Sequence, residues 1–222
     1  MSTLVTLDFD GTVADQRDGW GLLNSLFGTT TRGDVLTTQY EEGEIDFTQW
    51  CLGHVEAWED RHVTRQDIAA IANAVKLTVG ADVLLNYLHD TDDIAFGFIS
   101  GGLTDLMQSV EEYDSVFQDG NRLRYDESGR VTGVDANVGP NAKGQIITER
   151  AAALEIPLEN VIHIGDSHTD TEAFDVVGCS ILFCPDDRID PSYRDSVDVL
   201  IEDRDLRHVL PELERNTSSR VQ

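Results

Sequence analysis

The sequence predicts an α/β protein, a parallel sheet with helices on both faces and a small all-helical insertion after the first strand. Three observations carry this. Short apolar runs recur at residues 4–7, 94–99, 161–164, 181–184 and 197–201. Helical patterns separate several of them, and strands that alternate with helices build parallel sheets. From about Asp15 to Lys76 the alternation stops and only helix-like periodicity remains.

The first run, Leu4-Val5-Thr6-Leu7, reads as a buried strand that enters a Gly-containing loop at Asp8-Phe9-Asp10-Gly11-Thr12. Within the insertion, Phe47, Trp50, Cys51, Val55 and Trp58 share one helical face behind a cap at Asp46. Thr64 and Asp67 form a capping-box pattern ahead of a stripe of Ile68, Ile71, Ala72 and Val75. The tryptophans here are expected in the core of the insertion, with ligand contact as the alternative. Ser128-Gly129, between two extended segments of residues 122–134, predicts a β-hairpin. Ile146, Ile147, Arg150, Ala151 and Leu154 predict a helix, and the polar stretch after Glu214 predicts a frayed tail. The expected organisation is a Rossmann-like core from residues 1–14 and 78–214, a helical cap from 15–77 and a flexible tail from 215–222.

Composition narrows the functional classes. Hydrophobic residues make up 40% of the 222 residues, enough for a real core. No apolar run approaches the roughly 20 residues that cross a bilayer, and the N-terminus carries no signal-peptide pattern, so a cytoplasmic protein without membrane partners is expected. The net charge is −26, with 27 Asp, 15 Glu and only two lysines, Lys76 and Lys143. Nucleic acid is not an expected partner, because phosphate backbones need a basic face. Such self-repulsion destabilises a compact state in dilute buffer, and at 1 M salt the screening length falls to about 3 Å. The composition resembles that of salt-in halophiles such as halophilic archaea. Cys51, Cys179 and Cys184 fit neither a disulfide framework nor a zinc pattern and read as small buried hydrophobes.

Ligands of open parallel sheets bind beyond the carboxyl ends of the strands, and four polar groups fall at or beside such ends. Asp8 and Asp10 leave the first strand one residue apart, and a turn at Gly11 lets both address one space. One can attack phosphorus while the other handles protons, and their repulsion asks for a cation. An acidic loop in an Asp-rich chain is the plain alternative. Ser100-Gly101-Gly102 offers a hydroxyl and backbone amides opening a helix, suited to phosphate, or else an ordinary turn. Lys143 sits at a predicted helix start, where a cation is disfavoured. Its retention in a chain almost without lysine suggests a charge for a phosphoryl group, the alternative being a surface lysine. Asp166 and Asp170, one helical turn apart after the strand at 161–164, supply hard oxygen ligands of the kind Mg²⁺ prefers. His168 between them is expected to be a loop histidine, since no zinc-like spacing accompanies it.

In order, these motifs resemble the haloacid dehalogenase superfamily, and most closely its phosphoserine phosphatase-like branch. The resemblance covers nearly the whole chain and rests also on Glu42-Gly43-Glu44-Ile45-Asp46-Phe47, Ile99-Ser100-Gly101-Gly102, Asn141-Ala142-Lys143-Gly144 and Glu202-Asp203-Arg204-Asp205-Leu206. It implies a phosphatase acting on a small phosphate ester. Asp8 would be the nucleophile and Asp10 the acid and base. Ser100, Gly101 and Lys143 would hold the phosphoryl group. Asp8, the main-chain carbonyl of Asp10 and Asp166 would bind Mg²⁺, with Asp170 in support.

The departures bear on substrate. Arg17 stands near the place of a Glu that meets the substrate ammonium in phosphoserine-specific members. Cys51-Leu52-Gly53-His54 offers no Arg for the carboxylate, and Thr169 replaces the usual Asn. Reversed charge and a missing guanidinium argue against phosphoserine. Arg17, Trp20, Trp50 and His54 are the candidate specificity residues. True phosphoserine phosphatase activity and a non-catalytic phosphate-binding or regulatory relative are the alternatives. Oligomeric state is not legible.

Overall fold

The computed structural model describes residues 2–185 and 189–218. Its strands are β1 (Thr3–Leu7), β2 (Ile94–Leu103), β3 (Phe117–Tyr125), β4 (Val131–Asp135), β5 (Val161–Gly165), β6 (Cys179–Phe183) and β7 (Val199–Ile201). They form one seven-stranded sheet in the order β4-β3-β2-β1-β5-β6-β7, in which β4 alone runs antiparallel. β1, β5 and β6 are buried along their whole length, which is why they read as continuous apolar runs.

The helices are α1 (Gly19–Phe27), α2 (Thr30–Glu41), α3 (Phe47–Glu59), α4 (Arg65–Ala72), α5 (Ala81–Asp90), α6 (Lys143–Ala153), α7 (Thr171–Val176), α8 (Pro191–Ser196) and α9 (Leu210–Ser218). Alternation along β1 sorts the two faces. Val5 and Leu7 pack with Leu84 and Leu88 of α5 and Leu213 of α9, while Leu4 packs with Ile147 and Ala151 of α6. Helices therefore cover both faces of the sheet.

Helices α1–α4 fill the chain between β1 and α5. The expected cap at Asp46 starts α3 and proves to be a capping box with Gln49, and the expected capping box of Thr64 with Asp67 starts α4. Cys51, Val55 and Trp58 of α3 and Ile68 and Ala72 of α4 form an apolar cluster with Trp20 and Leu23 of α1. The same cluster takes in Leu123, Val131 and Val134 from the β3–β4 hairpin, so the hairpin is the platform on which these helices rest. Backbone bonds stitch the joint, with Val131 N donating to Val63 O at 3.0 Å and Arg65 N to Gly129 O at 2.7 Å.

Two expectations change. Ser100-Gly101-Gly102 does not open a helix; β2 continues through Leu103 after an irregularity in its pairing with β3, and a 3₁₀ helix follows at Thr104–Tyr113. The missing side chains at 101 and 102 hide the strand pattern from a periodicity reading. The tail expected from residue 215 is helical as far as Ser218, with Thr217 Oγ1 donating to Leu213 O at 2.8 Å; residues 219–222 lie outside the described residues. No helix among the described residues is long and apolar enough to cross a membrane.

Candidate active site

Sheet topology selects the site. The chain builds outward from β1 to β2 and β3 on one side and from β5 to β7 on the other, so the strand order switches direction beside β1. Leu7 lies opposite Phe98 of β2 and Ile164 of β5, which brings Asp8, Ser100 and Asp166 to one edge. Asp8 is fixed by its own backbone N–H donating to Ile164 O at 2.9 Å. Gly11 then turns the loop with a φ of +88°, and a Cβ there would collide with the Asp166 carboxylate, so glycine answers both geometry and space.

Lys143 begins α6 and is buried to 1% exposure. Its Nζ lies 3.0 Å from Asp8 Oδ1 and 2.6 Å from Asp170 Oδ1. Burial alone would push this ammonium towards neutrality, but Asp170 and Asp8 outweigh it and raise its pKa. Asp170 shows the reciprocal effect. Burial would raise it, yet the charge of Lys143 and the hydrogen bond from His163 hold it well below the usual carboxylate range. Asp8 moves the other way: burial is the main cause of a strongly raised pKa, Lys143 opposes it, and the charges of Asp170 and Asp166 add to it. Asp10 is pushed up to about 6 by burial, against the Gly19 N–H at 3.1 Å and the Gln16 Nε2 at 3.0 Å that its oxygens accept.

A hard divalent cation fits this donor set. Carboxylate oxygens of Asp8, Asp166 and Asp170, all buried, lie within 4.8 Å of one another, and crowded carboxylates with no imidazole or thiolate among them suit Mg²⁺. The Asp170 oxygens already accept from Lys143, His163 Nε2 at 3.0 Å and the Ser167 N–H at 3.1 Å. Asp170 thus braces its neighbours. The Asp10 carboxylate is turned to Gln16 and Gly19, outside the cluster.

In front of Asp8 opens a cleft of about 390 Å³, whose wall includes Asp10, Arg17, Trp20, Trp50, Ser100 and Gly101. Ser100 Oγ accepts from Gly102 N at 3.0 Å, and Trp20 Nε1 donates to Gly101 O at 3.1 Å. A larger cavity, about 600 Å³, lies between α4 and β3 beside Arg65, Asp105 and Arg122, but it holds none of the four motifs. Trp58 is wholly buried and belongs to the core of the helical segment, as expected, whereas the half-buried Trp50 faces the cleft.

His54 does not reach the cleft wall. It is 2% exposed, 4.3 Å from the Trp50 ring centroid, and its Nδ1 bonds the Asn24 side-chain amide at 2.8 Å. Asn24 Oδ1 in turn accepts from Trp58 Nε1 and Thr29 Oγ1. A histidine on an otherwise apolar helix face thus serves a buried polar network. Burial, with the charge of Arg32, lowers the His54 pKa from 6.5 to about 4. The folded value lies below the unfolded one, so this group's contribution is whole above pH 6.5 and lost as pH falls towards 4. It amounts to about 3 kcal/mol. Urea unfolding at pH 7 and pH 4 is expected to show that much more acid loss in wild type than in His54→Gln; equal losses would contradict it.

Sequence reasoning missed His163 and gave Arg204 no role of its own within the motif at residues 202–206. His163, buried in the middle of β5, links Thr6 Oγ1 at 2.8 Å to Asp170 at 3.0 Å; an imidazole inside an apolar strand was its signal. Arg204 donates to Gly11 O at 3.2 Å and Asp15 O at 2.6 Å, which ties the segment at 202–206 to the loop after Asp10. His168 is exposed on a 3₁₀ turn and takes no part in the acidic cluster. Cys51 and Cys179 are buried and Cys184 is half-buried.

The fold matches that of phosphatases of the haloacid dehalogenase type, and a buried acidic triad stands at its strand ends. No family model matches the chain. The phosphoserine phosphatase of Methanocaldococcus jannaschii is 27% identical over 212 residues, which cover 93% of this chain and 95% of its own. That of Wolinella succinogenes is 25% identical over 215 residues, covering 95% and 99%. A solved structure of a phospho-aspartyl intermediate analogue of phosphoserine phosphatase superposes with a TM-score of 0.77 at 25% identity, over 95% of this chain and 98% of that one. The chain is thus a homologue of phosphoserine phosphatases and has their fold.

Proposed function

We propose that the chain is a Mg²⁺-dependent phosphomonoester hydrolase working through an aspartyl-phosphate on Asp8. The observation that carries this is Asp8 at the carboxyl end of the central strand, 3.0 Å from a buried Lys143 and clustered with Asp166 and Asp170. Asp8 Oδ1 holds the Phe9 N–H at 2.8 Å and the Lys143 ammonium, so Oδ2 is assigned to attack phosphorus. As that O–P bond forms, the ester O–P bond breaks and the leaving oxygen takes the proton of Asp10. Asp10, now a carboxylate, takes a proton from the attacking water; the Asp8–phosphorus bond breaks and inorganic phosphate leaves. A carboxyl held near pKa 6 suits both halves. Ser100, Gly101 and Lys143 hold the phosphoryl oxygens. Asp8, the Asp10 main-chain carbonyl and Asp166 would hold Mg²⁺, braced by Asp170. When bound, the ion offsets charge on the phosphoryl oxygens. Residues 15–77 act as the cap and residues 1–14 with 78–214 as the catalytic core.

The substrate we propose is a small phosphorylated metabolite other than phosphoserine. Arg17 brings a guanidinium to the cleft wall beside Asp8, which is unfavourable for a substrate ammonium, and residues 51–54 supply no arginine for its carboxylate. The phosphoserine phosphatases among the relatives favour the second reading, phosphoserine itself. Phosphate release from a panel of esters, with Mg²⁺ in molar KCl, separates the two. Phosphoserine is expected to turn over at least about tenfold more slowly than the best ester, since one misplaced charge costs a kcal/mol or more. Phosphoserine as the best substrate would contradict the exclusion, and no release from any ester would overturn the hydrolase reading.

We also propose that the net charge of −26 suits the protein to a molar-salt cytoplasm of the kind found in halophilic archaea. The thermal midpoint is expected to rise by roughly 10 °C or more between 0.1 and 2 M KCl, because screening removes the self-repulsion. A flat or falling midpoint would count against this.

A further inference from the structure

We propose that Arg17 is an internal counter-ion that the divalent cation must displace from Asp166, so that this side chain sets the cation concentration at which the site loads. The inference rests on the metal-dependent reading above. Arg17 Nη1 lies 2.5 Å from Asp166 Oδ2, and Nη2 donates to Cys184 O at 2.7 Å. The carboxylate stands at the end of β5 and the carbonyl at the end of β6, so two adjacent strand ends hold the planar guanidinium by two of its edges. Asp166 is 2% exposed and Arg17 33%. One partner is therefore embedded in the acidic cluster while the other lies on the cleft wall, where it can withdraw towards solvent.

Asp166 is also one of the three carboxylates that gather within 4.8 Å. A guanidinium on Oδ2 and a divalent cation drawing on the same carboxylate repel each other, and occupancy by one weakens the other reciprocally. Lys143 also pairs with two of these carboxylates, Asp8 and Asp170, but it is wholly buried and has no solvent to withdraw to. The two cations of the centre thus divide their work: Lys143 is a permanent counter-charge, and Arg17 an exchangeable one. A weakly hydrated, rigid guanidinium suits that second duty, since it pairs with a carboxylate at small ordering cost and leaves it without a tight hydration shell to rebuild.

Calorimetric titration of Mg²⁺ alone, in 1 M KCl, tests this on wild type, Arg17→Met and Lys76→Met. Molar salt screens distant charges to about 3 Å, so only a contact effect survives. Arg17→Met is expected to bind one Mg²⁺ about tenfold more tightly than wild type, and Lys76→Met, which loses an exposed charge away from Asp166, to match wild type. Equal or weaker binding by Arg17→Met overturns the proposal, as does equal tightening in Lys76→Met. No binding by any of the three proteins overturns the metal-dependent reading beneath it. If Arg17→Met does not fold, wild type alone decides through the Arg17 Nε–Hε resonance. That signal is expected to move as Mg²⁺ is added, and an unmoved signal at saturating Mg²⁺ overturns the proposal.

Discussion

Asp8→Asn is expected to give a folded protein that releases phosphate at least about 10⁴-fold more slowly than wild type. An amide oxygen is a poor nucleophile, and nothing else at the switch point stands ready to form the covalent bond. Stability should not fall with it. Burial and the charges of Asp170 and Asp166 raise the Asp8 pKa strongly, with only Lys143 opposing them, and a neutral amide is relieved of both costs. Phe9 N–H keeps its acceptor, and Lys143 keeps Asp170 at 2.6 Å. The thermal midpoint of the variant is therefore expected to equal or exceed that of wild type. Activity loss accompanied by a large fall in midpoint would point to a structural role for Asp8.

Lys143→Met should damage both properties. The ammonium is 1% exposed and is shared between Asp8 and Asp170. Its removal leaves buried carboxylates uncompensated, a loss of about 3–5 kcal/mol. For a domain of this size that lowers the midpoint by roughly 6–20 °C. Turnover should fall by about 10²–10³-fold as well, the usual cost of one donor to the developing charge. Lys76→Met, by contrast, removes an exposed side chain and should change the midpoint by little. Midpoints and initial rates for the two variants check this together; a Lys143→Met protein as stable as wild type would show that the buried ammonium is not compensating its neighbours.

The parts of the fold that the sequence revealed are those governed by local rules. Buried strands such as β1 and β5 are apolar along their length, and the helix starts at Asp46 and Thr64 announce themselves through their caps. Asp8, Lys143, Asp166 and Asp170, which the structure gathers, could be picked out because each follows a strand or starts a helix. Lysine scarcity singled out Lys143 further. What stayed hidden depends on distant partners. His163 acquires meaning only when β1 brings Thr6 beside it and the turn at Ser167 brings Asp170 below. Arg17 is 149 positions from Asp166, and no periodicity relates them. His54 shares a helix with Trp50, yet whether it faces the cleft or Asn24 is decided by how α1 packs against α3. The extension of β2 through two glycines was missed because residues without side chains carry no alternation.

The most direct test of the account is to trap the covalent intermediate. Wild type would be quenched during turnover of the best ester, treated with borohydride, which reduces an acyl-phosphate to an alcohol, and mapped by peptide mass spectrometry. The account predicts conversion of the residue at position 8 to homoserine, absent without ester and absent in Asp8→Asn. Steady phosphate release with no reduction at position 8, or reduction at another carboxylate, would contradict it.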